Sequence, residues 1–387
     1  MENIKILLSQ NIRRFGMVIA LVGIAVLFEI LTKGILITPL NVTNIIMQNS
    51  YIIILAIGMT LVIIVGEIDL SVGSVAAFIG AVAGALLVTF DLPVYLAIIL
   101  CLLAGVIIGA WQGFWVAYVQ IPAFIVTLAG MLIFRGLTLV ILQGQTIAPF
   151  PEEFRSISSA FLPNFIDGGE IQLTSILMGV IFSILLIILE IRRRNQNLKY
   201  DLETLPFPLF VAKILAIILI INAFTYTLAL YAGIPYILLI LVLLILGYSY
   251  FMNNTIFGRH MYAVGGNINA ARLSGIKTRK MKFMVFVNMG VLAAFSGLVF
   301  AGRLNAATPQ AGTLFELDAI AAAVIGGASL AGGVGSVVGA VIGALVMGIL
   351  NNGMSLMGIG IDWQQAIKGL VLLGAVAFDI LSKKRRG

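Results

Sequence analysis

Residues 45–65, IIMQNSYIIILAIGMTLVIIV, form an apolar stretch long enough to cross a lipid bilayer as one helix. A helix rises about 1.5 Å per residue, so about 20 apolar residues cover about 30 Å of hydrocarbon. Similar stretches recur along the 387 residues, of which 61% are apolar and 10% charged, with a mean hydropathy of +1.14. Soluble domains carry about 25% charged residues. The sequence therefore predicts an all-α polytopic membrane protein with a single transmembrane domain over residues 1–387.

The basic residues are clustered, and their clusters predict the topology. Seventeen of the 23 Lys and Arg lie in four places: Lys5 with Arg13 and Arg14, residues 192–199, residues 259–282, and residues 383–386. Loops rich in Lys and Arg stay in the cytoplasm. Both termini are therefore predicted to be cytoplasmic. The net charge of +7 reflects this topology, and we expect no nucleic-acid partner.

About twelve transmembrane helices satisfy these constraints. The predicted spans are 15–33, 45–65, 72–90, 94–118, 121–142, 173–190, 206–228, 235–252, 283–302, 317–332, 335–353 and 363–381. The weakest is 317–332, which is short and ends in the Gly-rich sequence ASLAGGVGS, so the alternative is a re-entrant or broken segment.

Glycines at four-residue spacing predict close helix packing, because small residues let helix backbones approach in lipid. Three such stripes occur: Gly80 and Gly84; Gly105, Gly109 and Gly113; and Gly335, Gly339 and Gly343. In addition, GSVAAFIGAVAGAL (73–86) resembles GSVVGAVIGAL (335–345). We interpret this similarity as an internal repeat of the kind found in transporters.

Polar residues inside apolar segments are candidates for a translocation pathway, because they are costly in lipid. The densest group is GEIDLSVGS (66–74), where Asp69 or Ser71 either caps the helix that begins near Val72 or lines the pathway. Interhelical hydrogen bonding is the alternative for each polar residue. The candidate set is Asn49, Glu67, Asp69, Ser71, Trp111, Gln112, Asn351 and Asn352.

The stretch AVGGNINAARLSGIKTRKMK (263–282) is polar and basic within this apolar chain. Asn267 is a suitable N-cap, and Gly275 a suitable left-handed C-terminal residue, for a helix of about two turns. Such a short helix is not stable alone in water and has to be held by its neighbours. Two interpretations are open: an ordinary loop, or a docking helix for a soluble motor.

The residues offer no case for an enzyme or a metal site. The chain has no Gly-Lys dipeptide and hence no P-loop, and His260 and Cys101 are its only histidine and cysteine. We expect no catalytic residue, no metal and no cofactor in this chain. Transport energy then comes from a separate ATPase or from an ion gradient. The ion gradient remains possible because the chain has five acidic residues that could couple to it: Glu29, Glu67, Asp69, Glu316 and Asp318.

Four long motifs in a fixed order resemble the permease subunits of the ribose/xylose/galactose type of bacterial ABC sugar importers. They are QNSYIIILAIGMTLVIIVGEIDLSVGS (48–74), IPAFIVTLAGMLIFRGLTL (121–139), FGRHMYAVGGNINAARLSGI (257–276) and ELDAIAAAVIGGASLAGGVGSVVGAVIGALVMGILNNGMSLMGI (316–359). The chain is most similar to the xylose or multiple-monosaccharide permeases. Relative to shorter members it carries a two-span insertion, about 173–232. Where the family often has acidic residues after the GGN motif, this chain has Ile268 and Asn269.

The resemblance implies a multi-pass protein of the bacterial inner membrane that imports monosaccharides of the xylose, glucose, galactose and arabinose class. It implies a homodimer or paired permease, a cytoplasmic ABC ATPase that binds ATP and Mg as one fused chain or two, and a periplasmic or lipid-anchored sugar-binding protein. Residues 253–282 become a cytoplasmic coupling loop, whose ATPase-coupling residues are Gly265, Gly266, Asn267, Ala270, Ala271, Arg272, Leu273, Ser274 and Gly275. The alternatives are an ABC permease for nucleosides, polyols or branched-chain amino acids, or an ion-coupled secondary transporter.

Overall fold

A computed structural model describes residues 12–166, 169, 171–202 and 204–384, without the side chains of residues 12–15 and 378–384. The described helices are α1 (Ile12–Leu31), α2 (Pro39–Ile64), α3 (Val72–Gly84), α4 (Val94–Phe114), α5 (Ala123–Leu142), α6 (Glu152–Ser159), α7 (Leu173–Lys199), α8 (Phe207–Ala229), α9 (Tyr236–Asn254), α10 (Ile256–Gly266), α11 (Ile268–Leu273), α12 (Thr278–Leu304), α13 (Phe315–Ile325), α14 (Val337–Leu356) and α15 (Ile361–Lys384). One π-helical turn extends α3 through Ala85–Thr89 and another extends α4 through Trp115–Val119. Lys5 and residues 385–386, on which the topology prediction partly rests, lie outside the described residues.

The described part of the chain contains nine helices that are long and apolar enough to cross a membrane. They are α2 to α5, α7 to α9, α12 and α14, counting the π-helical extensions of α3 and α4. Helices of this length and composition indicate a multi-pass membrane protein. The weakest predicted span, 317–332, is a broken segment, which is the predicted alternative: α13 ends at Ile325, and Gly326–Gly335 continue without helix.

The chain divides into two compact units. The first comprises the described parts of Met1–Leu36, Ile45–Ser159 and Ile237–Gly387, and the second comprises Ile37–Asn44 and Ala160–Tyr236. In the second unit α7 and α8 pack as an antiparallel pair. Lys213 Nζ lies 2.7 Å from Glu190 Oε2, and Asn222 Nδ2 donates to Ser183 Oγ at 3.0 Å. This unit includes residues 173–232, the range of the predicted insertion.

In the first unit α2 is the most deeply buried of the long helices. Ile52, Leu55, Met59 and Ile64 are all fully buried, although they point in different directions around the helix. A helix that is apolar on every side belongs in the interior. The stretch 45–65 therefore forms the central helix of this unit.

The predicted glycine packing is confirmed. A Cβ atom on Gly109 would lie 2.5 Å from the carbonyl oxygen of Phe286, so α4 and α12 are in backbone contact there. Likewise, a Cβ on Gly343 would overlap the carbonyl oxygen of Ala322, which joins α14 to α13. The internal repeat stays a prediction, although both of its copies begin a helix, α3 at Val72 and α14 at Val337.

Candidate functional site

The short helix α11 is capped at both ends as predicted. Asn267 Oδ1 accepts a hydrogen bond from the backbone N–H of Ala270 at 3.0 Å. Gly275 has φ +83°, the left-handed conformation, and the N–H of Ile276 donates to the carbonyl of Ala271 at 3.0 Å. The helix has six residues, close to the two turns expected. Its conformation is set locally by these caps, and its position must be set by contacts with neighbours.

Those contacts are made by the end of α10. A Cβ on Gly265 would overlap the carbonyl oxygen of Ile64 at the end of α2 and would lie 2.6 Å from the N–H nitrogen of Gly333. The Gly333 N–H itself donates to the Ile64 carbonyl at 2.8 Å. Three backbone segments therefore meet at Gly265 with no space for a side chain.

Tyr262 adds a side-chain hydrogen bond at the same place. Its hydroxyl donates to the carbonyl oxygen of Gly335 at 2.9 Å. Burial raises the pKa of Tyr262, so the phenol remains protonated and keeps its donor at neutral pH. The helix pair α10–α11 is thus fixed to the segment between α13 and α14.

The outer side of α11 is open. Ala271 is 4% exposed and packs inward, whereas Leu273 is 90% exposed at the tip of the helix. The other predicted coupling residues that are exposed are Gly266, Asn267, Ala270, Arg272, Ser274 and Gly275. A rigidly held short helix with one protruding leucine is suited to enter a groove on a partner protein.

Glu67 lies beside this helix pair. Its carboxylate forms an ion pair with Lys282 near the start of α12. A cavity of about 160 Å³ adjoins the pair, and Arg272, Arg279 and Ile268 contribute to its walls. The ion pair ties the α2–α3 connection to the segment that follows α11, so Glu67 is spatially part of the coupling region.

Asp69, Ser71 and Gln112 come together in a buried hydrogen-bond network. Asp69 Oδ1 accepts from the backbone N–H of Ser71 at 2.8 Å and from its hydroxyl at 2.6 Å. Gln112 Nε2 donates to Ser71 Oγ at 2.7 Å. The helix α3 does begin at Val72, and Ser71 occupies the N-cap position as predicted, but its side chain makes no capping hydrogen bond. The Ser71 hydroxyl is engaged by Asp69 and Gln112 instead.

The remaining predicted pathway residues lie elsewhere in the first unit. Asn49 is buried, donates to the carbonyl of Ile45 at 2.7 Å, and packs against Gly348 of α14. Asn352 is buried on that same helix, and Asn351 is half-buried. Trp111 is 38% exposed. Of the eight predicted residues, the structure joins Asp69, Ser71 and Gln112 in one hydrogen-bond network, and the pathway role of the set stays a prediction.

Replacing Asp69 by alanine should lower stability more than replacing it by asparagine. Alanine removes both hydrogen bonds and leaves a buried Ser71 N–H without a partner, which costs about 2 kcal/mol. Asparagine keeps an amide oxygen that can accept both bonds. We expect thermal unfolding in detergent to show a clear loss for Asp69→Ala and a small one for Asp69→Asn. Equal losses would mean that the carboxylate charge, not its acceptor geometry, holds the network.

Some polar residues of the first unit were missed by sequence reasoning. Arg135 of α5 donates from Nη1 to the carbonyl oxygens of Ala311 at 2.6 Å and Pro309 at 3.4 Å. Lys368 Nζ lies 3.1 Å from Asp318 Oδ2. Each partner is far away in sequence, so no local pattern signals these pairs. Within the described residues, no three His, Cys, Asp or Glu side chains are placed to hold a metal ion.

Comparison with known proteins identifies relatives over nearly the whole chain. A family model described as branched-chain amino acid transport system / permease component matches residues 41–376. The xylose transport system permease protein XylH of Escherichia coli K12 is 41% identical over 377 residues, covering 97% of this chain and 94% of the relative. XylH of Haemophilus influenzae is 41% identical, covering 97% and 98%. The ribose import permease protein RbsC of H. influenzae is 36% identical, covering 88% and 84%. No solved structure matches the chain.

Proposed function

Because the chain belongs to the branched-chain amino acid transport system / permease component family, we propose that it is the transmembrane permease of an ABC importer for monosaccharides. The observation that carries this proposal is its 41% identity to a xylose transport permease along 97% of its length. The chain is a multi-pass protein of the inner membrane. Its relatives are transport subunits, so ATP hydrolysis is assigned to a partner.

The proposed topology has twelve crossings with both termini in the cytoplasm. Nine are the long apolar helices of the described chain. The other three are α1, α15, and α13 together with the irregular segment 326–335. Under this topology Gly265, Ile64 and Gly333 meet at the cytoplasmic end of the first unit, and residues 253–282 are the coupling loop. The insertion 173–232 supplies α7 and α8 and leaves the topology of later helices unchanged.

The proposed coupling element is α11 with its caps. Two permease copies would each insert Leu273 into a groove of a cytoplasmic ABC ATPase, which binds ATP and Mg. Gly265 transmits the movement because it is in backbone contact with the end of α2 and with the connection that precedes α14. The Glu67–Lys282 ion pair adds a second link, from α12 to the start of α3. Closure of the ATPase then moves several spanning helices together.

The proposed path carries an uncharged sugar delivered by an external binding protein, either periplasmic or lipid-anchored. Within the predicted pathway set we propose that Asp69, Ser71 and Gln112 act by positioning α3 against α4, because their polar atoms are engaged with one another. Trp111, Asn351 and Asn352 keep a proposed pathway role, and Asn49 holds α2 against Gly348 of α14.

Reconstitution tests this function directly. The chain would be placed in proteoliposomes with and without the cognate ATPase and binding protein, and uptake of labelled xylose, glucose, galactose, arabinose and ribose would be measured. We expect uptake that requires ATP and both partners. Uptake by the chain alone, abolished by a proton ionophore, would instead establish an ion-coupled transporter. ATP-dependent uptake of a nucleoside, polyol or branched-chain amino acid, and of no sugar, would keep the ABC assembly and change the cargo.

A further inference from the structure

The connection between α12 and α13, residues 305–314, reaches deep into the first unit. The depth can be read from α12, whose 27 residues extend about 40 Å. A Cβ on Gly297 would overlap the carbonyl oxygen of Ala76, and a Cβ on Gly80 would lie 3.5 Å from Ala301. Helices α3 and α12 therefore run parallel, with Ala76 at the level of Gly297.

Gly312 lies at about the same level. A Cβ on Gly312 would overlap the carbonyl oxygen of Gly73 and would lie 3.0 Å from the Cβ of Ala77. Gly73 and Ala77 lie on either side of Ala76, so Gly312 lies about 10 Å from the Leu304 end of α12. The chain leaves α12 at its end and returns along about a quarter of its length before α13 begins.

The backbone of this dipping segment is irregular. Gly312 and Leu314 both have positive φ, +71° and +63°, and α13 starts only at Phe315. Arg135 donates to the carbonyl oxygens of Pro309 and Ala311, and the Thr313 hydroxyl donates to the carbonyl of Gln310 at 2.8 Å. Irregular backbone at membrane depth is tolerated only where it is buried in protein or lines a water-filled cavity.

The side chains of Gln310 and Thr313 distinguish a segment buried in protein from one that lines a water-filled cavity. Gln310 and Thr313 are exposed in the first unit, although they flank Gly312, which lies about 10 Å below the end of α12. An amide and a hydroxyl that face lipid at this depth would be costly. Their exposure is therefore explained by a wet path along this side of the segment.

The charges around the segment favour an uncharged solute. The positive end of the half-helix α13 is offset by Glu316 and Asp318 in its first turn. Asp318 is itself paired with Lys368, and the Arg135 guanidinium is engaged by backbone carbonyls. The exposed side chains of residues 305–314 are a neutral amide and a neutral hydroxyl, Gln310 and Thr313, which are donors and acceptors suited to the hydroxyls of a sugar.

We infer that residues 305–314 form a wall of the translocation path, with Gln310 and Thr313 as the groups that hydrogen-bond a polyhydroxylated solute. Arg135 is the positioning residue that holds the irregular backbone open. The inference rests on the proposed transport function for its solute class. The position of the wet path rests on geometry alone, so the path and the proposed transport function can be contradicted separately.

Cysteine accessibility tests the path without requiring transport. Gln310→Cys and Thr313→Cys would be made in a Cys101→Ala background of the full chain assembled with its partners. The matched control is Leu103→Cys on α4. Leu103 is 52% exposed on an apolar helix and lies at a similar depth, because neighbouring Gly105 packs against Gly290 and Ala294.

A membrane-impermeant methanethiosulfonate would be applied to sealed vesicles from either side. A thiol in hydrocarbon does not ionise, so we expect positions 310 and 313 to react about tenfold faster than position 103 in at least one nucleotide state. No reaction at 310 and 313, or equal rates at all three positions, would overturn the inference.

A transport measurement tests whether Gln310 and Thr313 bind the solute. Gln310→Ala and Thr313→Val should each lower sugar uptake about fivefold at equal membrane abundance, since each removes one hydrogen bond to the solute. Thr313→Ser should retain uptake. Unchanged uptake in both loss variants, with a wild type that transports sugar, would overturn the solute-binding role. If positions 310 and 313 are labelled fast but the wild type imports no monosaccharide, the wet path is supported and the proposed cargo is contradicted.

Discussion

Leu273→Asp should abolish ATP-dependent uptake while the permease still folds and inserts. Leu273 is 90% exposed at the tip of α11, so its replacement leaves the interior of the permease intact. If the tip is buried in a groove of the ATPase, the aspartate places a charge where a leucine was buried. A central anchor of an interface contributes about 2 kcal/mol, equivalent to about a thirtyfold loss of affinity.

The measurements are uptake, ATP hydrolysis stimulated by the binding protein, and the amount of ATPase that copurifies with the permease. Leu198→Asp is the matched control, because Leu198 is an exposed leucine near the end of α7, outside the coupling region. Its uptake should equal that of the wild type. Ala271→Arg is a poorer test, since Ala271 is 4% exposed and the larger side chain would displace the helix itself.

Normal uptake by Leu273→Asp at equal abundance would remove α11 from the ATPase contact. A loss that appears equally in Leu198→Asp would indicate a general effect of added acidic charge on the basic cytoplasmic side. Loss of uptake with normal copurification would place the defect in transmission of movement rather than in docking.

Local signals in the sequence predicted local structure well. Asn267 and Gly275 cap α11 because an N-cap and a left-handed glycine act within one turn of their own positions. The glycine stripe on α4 predicted a close helix contact because the spacing alone places the glycines on one face. The helical class followed from hydropathy.

Contacts across the chain could not be predicted in this way. Glu67 pairs with Lys282, 215 residues away, and Ser71 pairs with Gln112, 41 residues away. A single sequence contains no signal for either pair, so the polar residues of 66–74 could not be divided between an ion pair and a buried network. Residues 305–314 were also missed, because a stretch with Pro309 and Gly312 resembles an ordinary surface turn until its depth is known.

The adjacent glycines Gly265 and Gly266 should respond differently to substitution by alanine. Gly265→Ala should destabilise the permease by about 3 kcal/mol and abolish uptake, because the new Cβ would overlap the Ile64 carbonyl and crowd the Gly333 N–H, both of them backbone atoms. Gly266→Ala should leave stability and uptake unchanged, since a Cβ there meets no atom within 4 Å.

Neither position has a positive φ, so the pair isolates the effect of space from that of backbone conformation. Thermal unfolding in detergent and uptake would be measured for both variants at matched abundance. If Gly265→Ala unfolds the protein, its stability loss alone establishes the contact. If it stays folded despite the lower stability but transports nothing, the contact of α10 with α2 and Gly333 is the route by which ATPase movement reaches the spanning helices. Equal behaviour of the two variants would contradict the close approach at Gly265 and, with it, that route.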